Sequence, residues 1–281
     1  LDFHNTMEEY AKAKAMLFPM CEKTAANADD PWTETVMKDA PQPVYTFSAK
    51  SDSASLTARD IRLAPSGVRF CALEEGELVR VKTNLPGQFS VYNALAAISC
   101  ARLLGVSLAD AATALETAHG AKGRVEPVPT DGDYNIFIDY AVTPDAIENV
   151  LTTLRGIAPK RLVMLFGAGG DRDRKKRPIM GKLSADIADF VIVTSDNPRT
   201  EDPMSIIEEI LPGVRAGKAP YKVICDRPEA IRWAIDHHEP GDVILLCGKG
   251  HEDYQIIGHE KIHMDEREIV ADYLAERAKR T

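Results

Sequence analysis

Five short apolar runs in the second half of the chain alternate with helical patterns, and this alternation limits the possible folds most. The runs lie at 135–139, 161–166, 190–194, 221–225 and 243–247. Helical patterns follow at about 144–155, 178–187, 206–211, 228–236 and 266–280. Near-continuous apolar strands separated by helices specify a parallel sheet covered on both faces, with right-handed crossovers. In such open α/β sheets ligands bind beyond the carboxyl ends of the strands. The polar loops that follow the runs are therefore the candidate site. A small hairpin is expected at 254–257 and 261–264, turning at Gly258-His259.

Those loops share a chemistry. Asp139-Tyr140-Ala141-Val142-Thr143-Pro144 follows the first run, and Gly167-Ala168-Gly169-Gly170-Asp171-Arg172-Asp173-Arg174-Lys175-Lys176-Arg177 the second. Ser195-Asp196-Asn197-Pro198-Arg199-Thr200 follows the third, and Gly248-Lys249-Gly250-His251-Glu252-Asp253 the last. In the third loop Asn197-Pro198 marks a turn, because Pro198 pushes Asn197 away from helical angles. Arg199 then leaves the turn as a planar fork able to take a carboxylate through two parallel hydrogen bonds. Taken alone, Arg199 reads equally well as a solvated surface arginine. Together the loops offer glycine backbone, carboxylates and several cations at one sheet edge, which suits an anionic or zwitterionic ligand.

Two nucleotide motifs fit poorly. Gly167-Ala168-Gly169-Gly170 does not run into a helix as a dinucleotide fingerprint must, since Asp171-Arg172-Asp173 interrupts it. No G-x-x-x-x-G-K-[ST] occurs, so the chain carries no phosphate loop of that type. His251 reads as a general base or, more simply, as a packed or capping histidine.

The first half follows different periods. Thr6-Met7-Glu8-Glu9 is a capping box opening a helix to about Phe18. Lys14 lies on its apolar stripe. An ammonium there needs a partner or snorkels to solvent. Residues 26–31 read as a turn with two carboxylates. Period-two segments at 44–47, 56–63, 68–73 and 78–82 read as short antiparallel strands. An alanine-rich helix through Leu104 stops at Gly105, and Ser107 caps another through about Ala118. Gly120–Glu126 is a basic, flexible connection in which Arg124 is a surface cation or a phosphate contact. The Pro- and Gly-containing stretch 125–133 is the expected domain boundary.

The net charge of −9 argues against a nucleic-acid partner. The five scattered cysteines, with no CxxC pair, read as reduced thiols. No apolar run has transmembrane length, so no membrane partner is expected. The chain starts at Leu1 without an initiator Met, as a piece of a longer protein would.

The loops, with Leu1-Asp2-Phe3-His4, Met7-Glu8-Glu9-Tyr10, Asn27-Ala28-Asp29-Asp30-Pro31, Tyr92-Asn93-Ala94-Leu95-Ala96-Ala97 and Gly123-Arg124, resemble the Mur ligase family in order along the whole chain. The resemblance implies an α/β chain. Residues 127–281 would form a C-terminal, Rossmann-like, mostly parallel domain that binds the incoming amino acid. Residues 1–126 would be the later part of a central α/β ATPase domain, without its P-loop. The implied activity is ATP-dependent addition of meso-diaminopimelate to a UDP-N-acetylmuramoyl dipeptide by way of an acyl phosphate, in peptidoglycan precursor synthesis. ATP and Mg²⁺ are the implied cofactors, and a cytoplasmic monomer is expected. Lys14 matches a catalytic lysine that becomes a carbamate and ligates Mg²⁺. Asn93, Arg124 and Asp139 match positions near adenine, phosphate and ribose. Arg172, Asp196, Asn197, Pro198, Arg199, Gly248 and Glu252 match the diaminopimelate site. Val142, Ser90 and Asn5 stand where the family usually has His, Asn and Gly. Two other readings are a diaminopimelate-binding module without catalysis, and a ligase like folylpolyglutamate synthetase.

Overall fold

Two hydrophobic cores organise the computed structural model, which describes residues 6–280. The Leu1–His4 run and Asn5 lie outside the described residues. The chain divides between His119 and Gly120 into two units.

In the first unit, α1 (Met7–Ala15) begins as its capping box requires: the Glu9 N–H donates to Thr6 Oγ1 at 3.2 Å. It ends earlier than its stripe suggested. Pro19 disfavours helical continuation, and a 3₁₀ turn at Phe18–Met20 follows. Next come β1 (Ala25–Asn27), α2 (Thr33–Val36), β2 (Tyr45–Ser48), β3 (Leu56–Ala64), β4 (Gly67–Glu74), β5 (Glu77–Thr83), α3 (Gln88–Leu103) and α4 (Leu108–Leu115). Among the described residues these strands form a five-stranded sheet in the order β1-β2-β3-β4-β5. Strands β1, β2 and β3 pair in parallel, and only β3-β4-β5 is antiparallel. This corrects two expectations. The all-antiparallel reading rested on period-two alternation, which does not encode strand direction. Ala26 and Asn27, read as turn residues, belong to β1. Their brevity hid a strand. Leu56, Val68, Phe70, Val81, Val91, Leu95, Ile98 and Leu108 fill the core beneath α3 and α4.

The second unit contains β6 (Glu126–Val128), β7 (Tyr134–Asp139), α5 (Pro144–Arg155), β8 (Leu162–Phe166), α6 (Lys176–Ile187), β9 (Phe190–Val193), α7 (Pro203–Ala216), β10 (Tyr221–Val223), α8 (Arg227–Asp236), β11 (Asp242–Cys247), the ribbon β12 (Tyr254–Ile257) and β13 (Glu260–His263), and α9 (Glu266–Ala278). Its large sheet runs β10-β9-β8-β11-β7-β6. Strands β7 to β11 are mutually parallel, while β6 pairs antiparallel at the edge. Every residue of β8 and β11 is buried. Covering both faces explains why these strands are apolar without alternation, each large side chain contributing about 1.5–3 kcal/mol. The late return of β11 between β7 and β8 reverses the strand order, and a crevice opens at such a reversal.

Candidate active site

The common direction of β7, β8, β9 and β11 delivers their four loops to one edge. There they line a cleft formed by Tyr140, Val142, residues 167–169, Arg172, Lys176, Met180, Asp196, Asn197, Arg199, Gly248 and Glu252. Glycines make the close approach possible. A methyl on Gly170 would collide with the Pro198 carbonyl, and one on Gly248 (φ +114°) would sit 2.6 Å from Asp196 Oδ2.

The positive wall comes from two loops. Arg172 is exposed, and its Nη1 makes a long contact of 3.4 Å with the Asp171 carbonyl. Arg199 is half-buried, and its Nη1 donates to the Gly170 carbonyl at 2.8 Å. Neither guanidinium has a carboxylate partner among the described residues, although Arg177 beside them has two, Glu201 and Glu209. Lys176 donates to the Val142 carbonyl at 2.9 Å, and burial holds its ammonium below the usual lysine range.

The negative wall is more deeply set. Asp196 Oδ1 accepts the Asn197 N–H at 2.6 Å, whereas its buried Oδ2 has no partner among the described residues. A buried acceptor without a donor costs about 1–3 kcal/mol, which a ligand donor would recover. Glu252 Oε2 accepts from Asn197 Nδ2 at 3.0 Å and from Lys249 Nζ at 2.9 Å. Beneath the loops, Arg227 is fully buried. It pairs with Glu266 and donates to the carbonyls of Ser195 and Cys247, tying the third loop to the end of β11.

The cleft thus brings together Arg172, Asp196, Asn197, Arg199, Gly248 and Glu252. Pro198 is buried behind it and shapes the turn. Asp139 lies outside the cleft lining. Its Oδ2 accepts the Val125 N–H at 2.9 Å, and burial raises its carboxyl above the usual range despite that bond. Arg124 is exposed over the Tyr140 ring at 5.7 Å. Asn93 is exposed on α3 of the first unit. Ser90, on the same helix, donates to the Pro86 carbonyl at 2.7 Å.

Lys14 is exposed on α1 and lines a separate cleft of the first unit with Tyr10, Asn27 and Asp30. Its ammonium lies 5.4 Å from the Tyr10 ring centre. Among the described residues no three His, Cys, Asp or Glu side chains cluster to hold a metal. Mg²⁺ that keeps waters and phosphate oxygens needs only one or two protein carboxylates, and Asp30 in the Lys14 cleft would supply one.

Sequence reasoning missed Lys176 as a cleft residue and Lys249 as the buried cation behind Glu252. Lys176 sits in a run of four basic residues: Arg174 and the fully buried Arg177 both pair with Glu209, and Arg177 also with Glu201, whereas Lys176 turns to the Val142 carbonyl and the cleft. The sequence pattern starts this helix at about 178, whereas it begins at Lys176, which puts residues 176 and 180 on one face.

Residues 1–101 match the Mur ligase middle domain, and residues 123–250 match the Mur ligase glutamate ligase domain. The UDP-N-acetylmuramoyl-L-alanyl-D-glutamate–2,6-diaminopimelate ligase of Caldanaerobacter subterraneus subsp. tengcongensis is 47% identical over 280 residues, covering 99% of this chain and 58% of that protein. The protein of the same name from Trichormus variabilis is 44% identical over 286 residues, with 99% and 57% covered. A solved structure, also of a UDP-N-acetylmuramoyl-L-alanyl-D-glutamate–2,6-diaminopimelate ligase, superposes with a TM-score of 0.78 at 35% identity, covering 98% of this chain and 58% of that one. The chain therefore spans somewhat over half the length of these relatives.

Proposed function

The chain belongs to the Mur ligase family, and we propose that it is part of an ATP-dependent ligase joining meso-diaminopimelate to UDP-N-acetylmuramoyl-L-alanyl-D-glutamate, with the cleft as the diaminopimelate site. The observation that carries this reading is the pairing of two guanidinium groups lacking carboxylate partners, Arg172 and Arg199, with the orphan oxygen of Asp196 and with Glu252 in one cleft. One end of diaminopimelate is a zwitterion. Its carboxylate suits the arginine forks, and its ammonium suits Asp196 and Glu252. Gripping that end leaves the other amine to react. The names of the relatives support the same substrate.

On this reading residues 1–126 are the later part of the central ATP-binding domain and 127–281 the amino-acid domain. Asn93, Arg124 and Asp139 serve the nucleotide, and Lys14, as a carbamate, offers an oxygen to Mg²⁺. ATP, when bound with Mg²⁺, activates the D-glutamate carboxylate toward the amine. The chain's own contribution is positional. It holds the amino acid by its far end, so that attack becomes effectively unimolecular.

Calorimetric titration of meso-diaminopimelate and L-lysine into the chain and into Arg199→Ala tests this. Lysine lacks the second carboxylate, so it should bind the wild type at least about tenfold more weakly. The variant should lose that preference. Equal binding of the two amino acids to the wild type, or an unchanged preference in the variant, would refute the assignment.

A further inference from the structure

Lys249 is fully buried, yet it carries a charge at the back of the cleft wall. Its Nζ donates to Asn197 Oδ1 at 2.8 Å and lies 2.9 Å from Glu252 Oε2. The Tyr254 ring centre is 5.3 Å away. Burying an ammonium is tolerated only when it is paired and hydrogen-bonded, and these contacts meet that condition.

The contacts fix more than the lysine. Asn197 Oδ1 accepts from both Lys249 and the Ile256 N–H, at 2.9 Å, so its Nδ2 must point the other way, to Glu252 Oε2. Glu252 Oε2 is thus occupied twice, by Asn197 and Lys249. Among the described residues Oε1 meets only the Tyr254 hydroxyl, at 3.4 Å, and stays available to a ligand. The third loop, the fourth loop and β12 meet at this one cation.

We infer that Lys249 is a positioning residue for the amino-acid site: its ammonium locks Asn197 and the inner oxygen of Glu252 so that the outer oxygen is presented to the ligand's ammonium. The inference rests on the cleft being the diaminopimelate site. Lys249 does not touch the ligand and acts through Glu252.

The experiment is a double-mutant cycle read by calorimetric titration of meso-diaminopimelate into the full chain. Lys249→Met should weaken binding by about tenfold or more, and Lys249→Arg should recover part of the loss. Glu252→Gln should weaken binding as well. The double variant should bind no more weakly than Glu252→Gln alone, because the lysine works only through that acid. A purely structural lysine gives losses that multiply, and that result overturns the inference. So does Lys249→Met binding within twofold of wild type. Should Lys249→Met fail to fold, Lys249→Gln, which keeps a donor without the charge, is read by the same criteria. If the wild type itself does not bind diaminopimelate, the site assignment fails, and this outcome is distinct from either result above.

Discussion

Arg199 occupies left-handed backbone space, with φ at +52°. Such a conformation is uncommon for a residue with a Cβ and persists where neighbours fix it. Here the Arg199 N–H donates to the Ile256 carbonyl at 3.0 Å, and the Arg199 carbonyl accepts the Gly258 N–H at 2.7 Å, clamping the turn to the ribbon. The guanidinium is thereby aimed across Gly169, where a Cβ would lie 2.9 Å from Nη1. Next to it, Glu201 receives two hydrogen bonds from the buried Arg177, which pull its carboxyl down to about 2. A depressed carboxylate stabilises fully above its unfolded value near 4.5 and loses that contribution as pH falls through about 2. The melting temperature of Glu201→Gln should therefore lie below wild type at neutral pH, by the equivalent of roughly 1–3 kcal/mol. The gap should close as the pH is lowered toward 2. A gap independent of pH would contradict the pairing. Arg172, Asp196, Arg199 and Glu252 were legible as candidates because each follows an apolar run whose parallel direction fixes where its loop emerges. The pairing of Lys249 was not legible, because burial of a lysine inside a glycine-rich loop is settled by two loops and β12 meeting, not by local sequence.

A cap made some elements readable, but it did not fix the extent of all of them. Thr143 caps α5, and its span from Pro144 to Arg155 is the one its pattern specifies. Helix α7 runs from Pro203 to Ala216, well beyond the 206–211 pattern, for two reasons. Pro203 sits in the first turn, where its missing N–H costs nothing, and Asp202 accepts the Ser205 N–H. Pro212, which looks like a terminator, is carried inside the helix. Strand β6, within the 125–133 stretch read as the domain boundary, is held by register against β7 and by nothing in its own three residues. Glycines decide how closely α6 and α7 pack. A methyl on Gly213 would collide with the Pro178 carbonyl, and Gly181 faces the Ile210 carbonyl at 2.5 Å from where its Cβ would stand. Gly213→Ala should cost about 1–3 kcal/mol by forcing these helices apart, read as a lower midpoint in urea unfolding. An unchanged midpoint would show that the packing is looser than described.

At the scale of the whole molecule, each unit has a sheet and a core of its own, and the residues lining the four-loop cleft all belong to the second. No helix among the described residues is long and apolar enough to cross a membrane. The sequence made the parallel sheet of the second unit plain, because burial on both faces leaves an unmistakable apolar signature. The first unit was harder, since parallel β1 to β3 and antiparallel β3 to β5 share one sheet and alternation looks the same in both. The proposed activity depends on what the four loops hold. A crystal structure of the chain with meso-diaminopimelate tests that most directly. One carboxylate of the ligand should lie between Arg172 and Arg199, with the neighbouring ammonium against Asp196 Oδ2 and Glu252 Oε1. Diaminopimelate bound elsewhere, or with its carboxylates away from both arginines, would contradict it.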